Sequence, residues 1–202
     1  MANHCAKITL AITGASGIPY ATELLKQLLR LDCLVNLVIS KAGMLTIHQE
    51  LGFSLSAVPQ LTLQKIVENL NLVNSHNLRI YGNDDWYAPI ASGSSVADAM
   101  VICPCSMATL AKVAAGIGDD LIARSADVTL KERKNLVIVP REMPFSAIHL
   151  ENMLKLARLG VAIVPPIPAF YTNPQTIDDM VTFVVSRILD QLALANELSP
   201  RW

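Results

Sequence analysis

Four short stretches of this 202-residue sequence carry groups that can hold a ligand or move a proton. The first is Thr13-Gly14-Ala15-Ser16-Gly17. Its glycines let the backbone approach a ligand, and a following helix N-terminus offers N–H groups to an anion. Neither G-x-G-x-x-G nor G-x-x-x-x-G-K-[ST] is present, so a mononucleotide phosphate fits better than a dinucleotide or a triphosphate. A plain tight turn would use the same residues. The second stretch is Pro104-Cys105-Ser106-Met107-Ala108-Thr109. Ser106 can cap a helix, and its hydroxyl and the free amides can hold a ring edge or a phosphate. The third is Pro140-Arg141-Glu142-Met143-Pro144. Arginine suits a bidentate phosphate contact and glutamate an acid or base, although neighbouring Arg and Glu are by default a solvated pair. The fourth is the basic set Arg124, Lys131, Arg133 and Lys134, by default a solvated helix face. Two aromatic residues complete the inventory. Tyr171 follows a proline-rich loop, and Trp202 ends the sequence, where a side chain frays unless it docks.

The elements that would position these residues alternate. Strands are expected at Lys7–Thr13, Leu34–Ser40, Ala99–Cys103, Leu136–Val139 and Val161–Val164. Helices are expected at Ile18–Arg30, Met44–Leu51, Met107–Ile117, 119–132 and Ala147–Leu159, the last stopping at Gly160. A capping pattern at Thr176-Ile177-Asp178-Asp179 opens a final helix to about Asn196. Residues 55–97 are ambiguous, with an apolar-periodic stretch near 61–73 and a polar loop at Asn83-Asp84-Asp85-Trp86. Strands separated by helices predict a single α/β domain, a doubly wound parallel sheet over 1–202. Such sheets bind ligands beyond the carboxyl ends of their strands. The loops after Thr13, Ser40, Cys103, Val139 and Val164 are therefore the ones that matter, and three of the four stretches fall on them.

Composition narrows the class. Hydrophobic residues make up 52% and charged residues 16%, which excludes disorder and points to extensive burial in an oligomer. Lys and Arg number 16 against 17 Asp and Glu, so no basic field serves a nucleic-acid backbone, and 5% aromatics supply no base-stacking surface. Four scattered cysteines form no disulfide framework, and Cys103 and Cys105 read as small core residues. The four histidines lack zinc-ligand spacing, so no metal site is expected. The apolar run Ile8–Ile12 is too short for a signal-peptide core. The longest charge-free stretch, Leu159–Ile177, contains four prolines, so no membrane span is expected and the location expected is cytoplasmic.

Several blocks, in order over nearly the whole chain, resemble the UbiX-type flavin prenyltransferases. They are Thr13–Gly17, Val38–Lys41, Ala91–Ser94, Cys105–Ala111, Gly116–Arg124, Pro140–Glu142 and Pro165–Tyr171. The resemblance implies a flavodoxin-like fold, FMN binding, and a homododecamer with sites built between subunits. It implies transfer of the dimethylallyl group of dimethylallyl monophosphate to N5 and C6 of reduced FMN. The product, prenylated FMN, would serve a partner UbiD-type decarboxylase. By the same resemblance FMN is expected at Gly14, Ala15, Ser16, Ser40, Ser106, Met107, Ala108, Thr109 and Arg141. The prenyl phosphate is expected at Tyr171 and Arg187, with Lys131, Arg124, Arg141 and Glu142 around it. Glu50, Ser16 and Trp202 join the reaction centre, Glu50 with Ser16 as a proton relay and Trp202, with Trp86, as an aromatic wall.

Residue chemistry agrees with that set. Phosphate leaving without a metal must be met by Arg, Lys, a Tyr hydroxyl and an acid such as Glu142. An aromatic face stabilises allylic cation character by about 0.5–2 kcal/mol. The nearest alternative is an FMN-dependent cysteine decarboxylase, whose P-A-S-A-N-T and P-x-M-N-x-x-M-W segments are not matched. Ala108 stands where the first requires Asn, and Pro140–Pro144 replaces the second. A non-catalytic flavin-storage protein would need none of Lys131, Glu142 and Tyr171.

Overall fold

Runs of β-branched and apolar residues, each followed by an amphipathic stretch, set the architecture in the computed structural model, which describes residues 5–200. Six strands form one sheet: β1 (Lys7–Ile12), β2 (Leu34–Ile39), β3 (Leu78–Tyr81), β4 (Ala99–Cys105), β5 (Asn135–Pro140) and β6 (Ala162–Ile163). They lie in the order β3-β2-β1-β4-β5-β6, and every pair is parallel. Without edge strand β3 this is the order of flavodoxin, and with it the order of two joined mononucleotide-binding halves. The connections reverse direction between β1 and β4.

Seven helices cover the sheet among the described residues: α1 (Ile18–Arg30), α2 (Lys41–Leu51), α3 (Pro59–Leu70), α4 (Met107–Ala115), α5 (Leu121–Lys131), α6 (Ala147–Arg158) and α7 (Ile177–Gln191). One core lies between the sheet and α1, α2, α3 and α7, and holds Leu10, Leu37, Val101 and Val139. The other lies under α4, α5 and α6, and holds Ala11, Val38, Ile102 and Ile138. Adjacent residues of one strand thus enter opposite cores, which is why the central strands read as unbroken apolar runs.

Local chemistry fixes the helix ends. Ser40, Ser106, Asp120, Ser146 and Thr176 each accept a hydrogen bond from a backbone N–H of the turn they open. In α7 the bond is reciprocal, because the Asp179 carboxylate accepts from the Thr176 N–H at 2.9 Å.

Three expectations change. The ambiguous 55–97 stretch supplies α3 and the short edge strand β3. The last helix stops at Gln191 rather than near Asn196, because Ala193 turns into the left-handed region (φ 55°) and the Leu194 N–H bonds back to Leu189 O. Strand β4 runs through Pro104 to Cys105, and its register against β5 shifts between Ile102 and Cys105. A proline cannot donate to the ladder, so the strand pairs irregularly where it reaches its loop.

Candidate active site

The Thr13–Gly17 loop leaves β1 at the point where the sheet reverses direction, and three other strand ends close on it. From β4, Pro104 O accepts the Thr13 hydroxyl at 2.8 Å, and the Ser106 N–H donates to the same hydroxyl oxygen at 2.8 Å. From β5, Arg141 Nε donates to Ser16 O at 3.2 Å. From the β2 side, α2 packs so closely that a Cβ on Gly14 would meet the Ala42 Cβ at 2.3 Å. Glycine at position 14 is therefore a packing requirement before it is a ligand contact.

Glu50, in the last turn of α2, reaches the same loop. Its carboxylate accepts from the Gly17 N–H at 3.2 and 3.1 Å and from the Ile18 N–H at 2.8 Å. Pro19 has no N–H, and the Tyr20 N–H bonds to Gly17 O. The α1 N-terminus, which the sequence offered to a phosphate, is thus already filled by a carboxylate. The anion-binding amides must come from elsewhere. Helices α2 and α4 offer such amides through matching ends. Ser40 Oγ accepts from the Gly43 N–H at 3.0 Å, and Ser106 Oγ accepts from the Thr109 N–H at 3.3 Å. In both helices the first two amides, Lys41 and Ala42 or Met107 and Ala108, precede the helix's own ladder.

The structure therefore brings together Gly14, Ala15, Ser16, Ser40, Glu50, Ser106, Met107, Ala108, Thr109 and Arg141 at one edge of the sheet. Glu142 follows Arg141 directly and is exposed, its Oε1 accepting from the Met143 N–H at 3.1 Å. Beneath these loops burial pushes the Cys103 and Cys105 thiols far up, and burial with the nearby Cys103 raises Tyr20. Both thiols remain neutral core groups, as the sequence implied.

Other expected residues lie elsewhere in the chain. Lys131 ends α5 just before β5 begins, at the opposite edge of the sheet. A six-residue strand separates it from Arg141, a rise of roughly 20 Å, beyond a lysine's reach. Within one chain, then, Lys131 does not join the Ser16–Arg141 cluster. It forms a second cluster. Arg124 lies two turns earlier on the same helix face and donates through Nε to Ala91 O at 3.1 Å. Lys131 Nζ pairs with Glu132 and lies against Gly93, where an added Cβ would meet it at 2.7 Å. The Ala91–Ser94 segment runs along this face, with the Ser92 and Ser94 hydroxyls 3.1 Å apart.

A third cluster surrounds a cavity of about 260 Å³ lined by Tyr171, Phe183, Ser186, Arg187, Asp190, Ser199 and Pro200. The family resemblance places Tyr171 and Arg187 on one ligand, and both line this cavity. Tyr171 stands edge-on to Phe183, with ring centroids 6.0 Å apart, and Arg187 Nη1 pairs with Asp190 at 2.7 Å. Ser199 and Pro200 bring the C-terminal segment to this cavity, while Trp202 lies outside the described residues. Trp86 is half-exposed on the loop after β3.

Sequence reasoning missed two features. The motif reading gives Thr13 no role, although a threonine directly before Gly-Ala-Ser-Gly at a strand end is the available signal. Asn83 also went unassigned. Its carbonyl accepts from Leu121 N–H at 2.9 Å and its Oδ1 from Ile122 N–H at 3.1 Å, so it holds the first turn of α5.

A doubly wound parallel sheet with hydroxyl-capped helices converging at its switch point defines a mononucleotide-binding α/β protein. Comparison with known proteins makes the class specific. The family model described as Flavoprotein matches residues 2–189. Flavin prenyltransferase UbiX of Pseudomonas aeruginosa is 50% identical over 97% of this chain and 93% of its own length. The chain belongs to the flavoprotein family and, within it, to the UbiX flavin prenyltransferases. Among solved structures, a dodecameric FMN-dependent UbiX-like decarboxylase from Escherichia coli O157:H7 aligns with a TM-score of 0.84 at 43% identity, covering 97% of this chain and 98% of that one. AnUbiX in complex with FMN and dimethylallyl pyrophosphate aligns with a TM-score of 0.86 at 39% identity, covering 98% of each chain. Peptidyl-cysteine decarboxylase EpiD, at 16% identity and a TM-score of 0.60, shares the fold alone.

Proposed function

We propose that this protein joins the dimethylallyl group of dimethylallyl monophosphate to N5 and C6 of reduced FMN, releasing phosphate and giving prenylated FMN. The observation that carries the reading is the convergence of Gly14–Ser16, Ser40, Ser106–Thr109 and Arg141 on one switch point. This donor set fits FMN. Small residues leave room for the ring, hydroxyls and free amides meet its polar edge, and one guanidinium faces the loop.

When bound, reduced flavin supplies the nucleophilic nitrogen and the ring carbon that receive the prenyl group. The chain's own residues do the rest. Arg141 and Lys131 meet the donor phosphate, with Arg124, Tyr171 and Arg187 around it, and their charge offsets that of the leaving group. Glu142 gives the departing phosphate a proton. On closure of the second bond the prenyl double bond would take a proton from the acid side of the site, Glu142 with the released phosphate, and Glu50 with Ser16, joined through the Gly17 turn, would accept the ring proton lost. Trp202 lies outside the described residues, and the aromatic face toward the allylic cation is assigned to it by the family resemblance.

The protein works as a homo-oligomer, a dodecamer like its E. coli relative. Supporting this, the described surface carries large apolar side chains in the open, among them Tyr87 at 99% exposure, Met143 at 88% and Ile177 at 77%. Its product serves a UbiD-type decarboxylase, and it acts in the cytoplasm, in keeping with its free thiols. Among the described residues no helix is long and apolar enough to cross a membrane.

The test is anaerobic incubation of the protein with reduced FMN and dimethylallyl monophosphate under a chelator, followed by mass and absorbance analysis of the flavin. Gain of one prenyl unit with phosphate release is the expected result. An unmodified flavin would overturn the reading, as would carbon dioxide release from a cysteine-carboxylate substrate with no prenylation. Parallel incubation with the pyrophosphate establishes which donor is used.

A further inference from the structure

The ladder between β1 and β4 runs in register from Ile8↔Ala99 to Ala11↔Ile102 and then ends, because Pro104 has no N–H to continue it. Beyond that point the two strand ends need another connection, since the loops they carry face each other across the switch point. Thr13 supplies it. It is 1% exposed, and its amide donates to Pro104 O at 3.2 Å. Its hydroxyl donates to the same oxygen at 2.8 Å and accepts from the Ser106 N–H at 2.8 Å. One buried hydroxyl thus uses its donor and an acceptor lone pair on the exit of β4. Ser106 is the residue whose Oγ caps α4 and lies 3.0 Å from the Thr109 hydroxyl.

We propose that Thr13 is a positioning residue for flavin binding. Its hydroxyl sets the separation and orientation of the Gly14–Ser16 loop relative to the Ser106–Thr109 loop, and so fixes the cleft before the flavin arrives. The inference rests on the FMN reading above. Valine has nearly the same shape but neither donor nor acceptor. It leaves the Ser106 N–H unpaired and lets the start of α4 drift. Serine keeps both hydrogen bonds and loses only a methyl group.

The experiment titrates FMN into the intact oligomer by flavin fluorescence for wild type, Thr13→Val, Thr13→Ser, Ser106→Ala and the Thr13→Val/Ser106→Ala double variant. Thr13→Val should weaken FMN binding about 10- to 100-fold, the scale of a buried amide left unpaired. At saturating FMN the KM for the prenyl donor should change less than FMN affinity does, because Tyr171 and Arg187, two of its expected contacts, stand on a separate cavity wall. Thr13→Ser should bind FMN within about threefold of wild type. The double variant should be little worse than the weaker single variant, because both changes act on one cap.

Equal FMN affinity in wild type and Thr13→Val would overturn the proposal, as would fully additive effects in the double variant. A Thr13→Ser variant as weak as Thr13→Val would also overturn it, by assigning the effect to the methyl group. That comparison with wild type decides the matter even if the valine variant does not fold. Failure of wild type to bind FMN at all would instead remove the functional reading on which this one stands.

Discussion

Replacing Glu50 by Gln separates two jobs that the structure assigns to one carboxylate. The first is mechanical. Glu50 links the last turn of α2 to the first turn of α1 through the Gly17 and Ile18 amides, at 2.8 to 3.2 Å. A carboxylate at a helix N-terminus contributes about 0.3–1 kcal/mol through the dipole, and up to ~2 kcal/mol when partly buried. Glutamine keeps one carbonyl oxygen, able to accept from the Ile18 N–H, but carries no charge. Glu50 is exposed, so the substitution should cost about 0.3–1 kcal/mol. For a domain of this size that is a fall of roughly 1–4 °C in apparent melting temperature. FMN affinity should change by only a few-fold, since Ser40, Ser106 and Arg141 are untouched.

The second job is chemical. An amide cannot take up the proton released when the ring carbon of flavin is alkylated. Loss of a positioned base typically lowers turnover about 10²–10⁴-fold. The assay combines thermal melting, FMN titration and a rapid-quench measurement of prenylated flavin, all on the intact oligomer. Turnover within threefold of wild type, accompanied by the expected drop in melting temperature, would refute the base assignment and leave Glu50 as a helix cap. Glu50→Ala serves as a reference, because it removes charge and oxygen together and should destabilise more than Gln while losing a similar amount of turnover.

Three further outcomes are expected. Lys131→Ala should leave FMN affinity unchanged, because the Gly14–Ser16 and Ser106–Thr109 loops remain. Prenylation by the same variant should fall by an amount equivalent to about 2–5 kcal/mol in kcat/KM, and lost FMN binding with an intact fold would move Lys131 to the flavin site. Glu142→Gln should preserve donor binding and reduce single-turnover rate about 10²–10⁴-fold, and a rate near wild type would make Glu142 only a neighbour of Arg141. Asp179→Asn should lower the melting temperature near neutral pH. Backbone hydrogen bonds from Gln175 and Thr176 hold this carboxyl below its usual 3.8, so its contribution is present above that value and lost as pH falls through the depressed one. The gap between wild type and variant should therefore close in acid, and a gap that is constant with pH would show that charge is not involved.

The sequence disclosed the fold where periodicity is strong and obscured it where elements are short. Strands β1, β2, β4 and β5 are buried on both faces, so their apolar runs are continuous and were legible. Strand β3 is four residues at an edge, with Arg79 exposed, and offers too little alternation to separate it from a loop. Caps were legible as well, since Ser106 and Thr176 precede apolar runs in the expected way. The occupancy of α1 was not. Nothing local to Ser16-Gly17-Ile18 announces that Glu50, more than thirty residues on, fills those amides. Local motifs report which groups a segment offers. Tertiary structure decides which of those offers are already taken.

The same distinction explains why the basic residues were easy to list and hard to place. Arg124 and Lys131 lie two turns apart on one face of α5, as their spacing requires, and both meet the Ala91–Gly93 segment. That face lies on one side of the sheet, whereas α7, which carries Arg187, packs on the other. Arg141 sits at the carboxyl edge between them. Three clusters that would each attract phosphate are thus held apart by the body of one domain. Within one chain Arg124 and Lys131 pair with Asp127 and Glu132, and Arg187 pairs with Asp190. If a single donor phosphate is met by all of them, they must come from different copies of the chain. Exposed apolar side chains near these groups, Met143 beside Glu142 and Phe170 beside Tyr171, then acquire a reason. Burial of these side chains against neighbouring copies would bring the cations together. Assembly and catalysis would be one requirement, so that a charge-neutral change such as Met143→Ser, which breaks the interface and leaves every cation in place, should abolish prenylation in proportion to the oligomer it removes. A dissociated form that retained full turnover would return the site to a single chain.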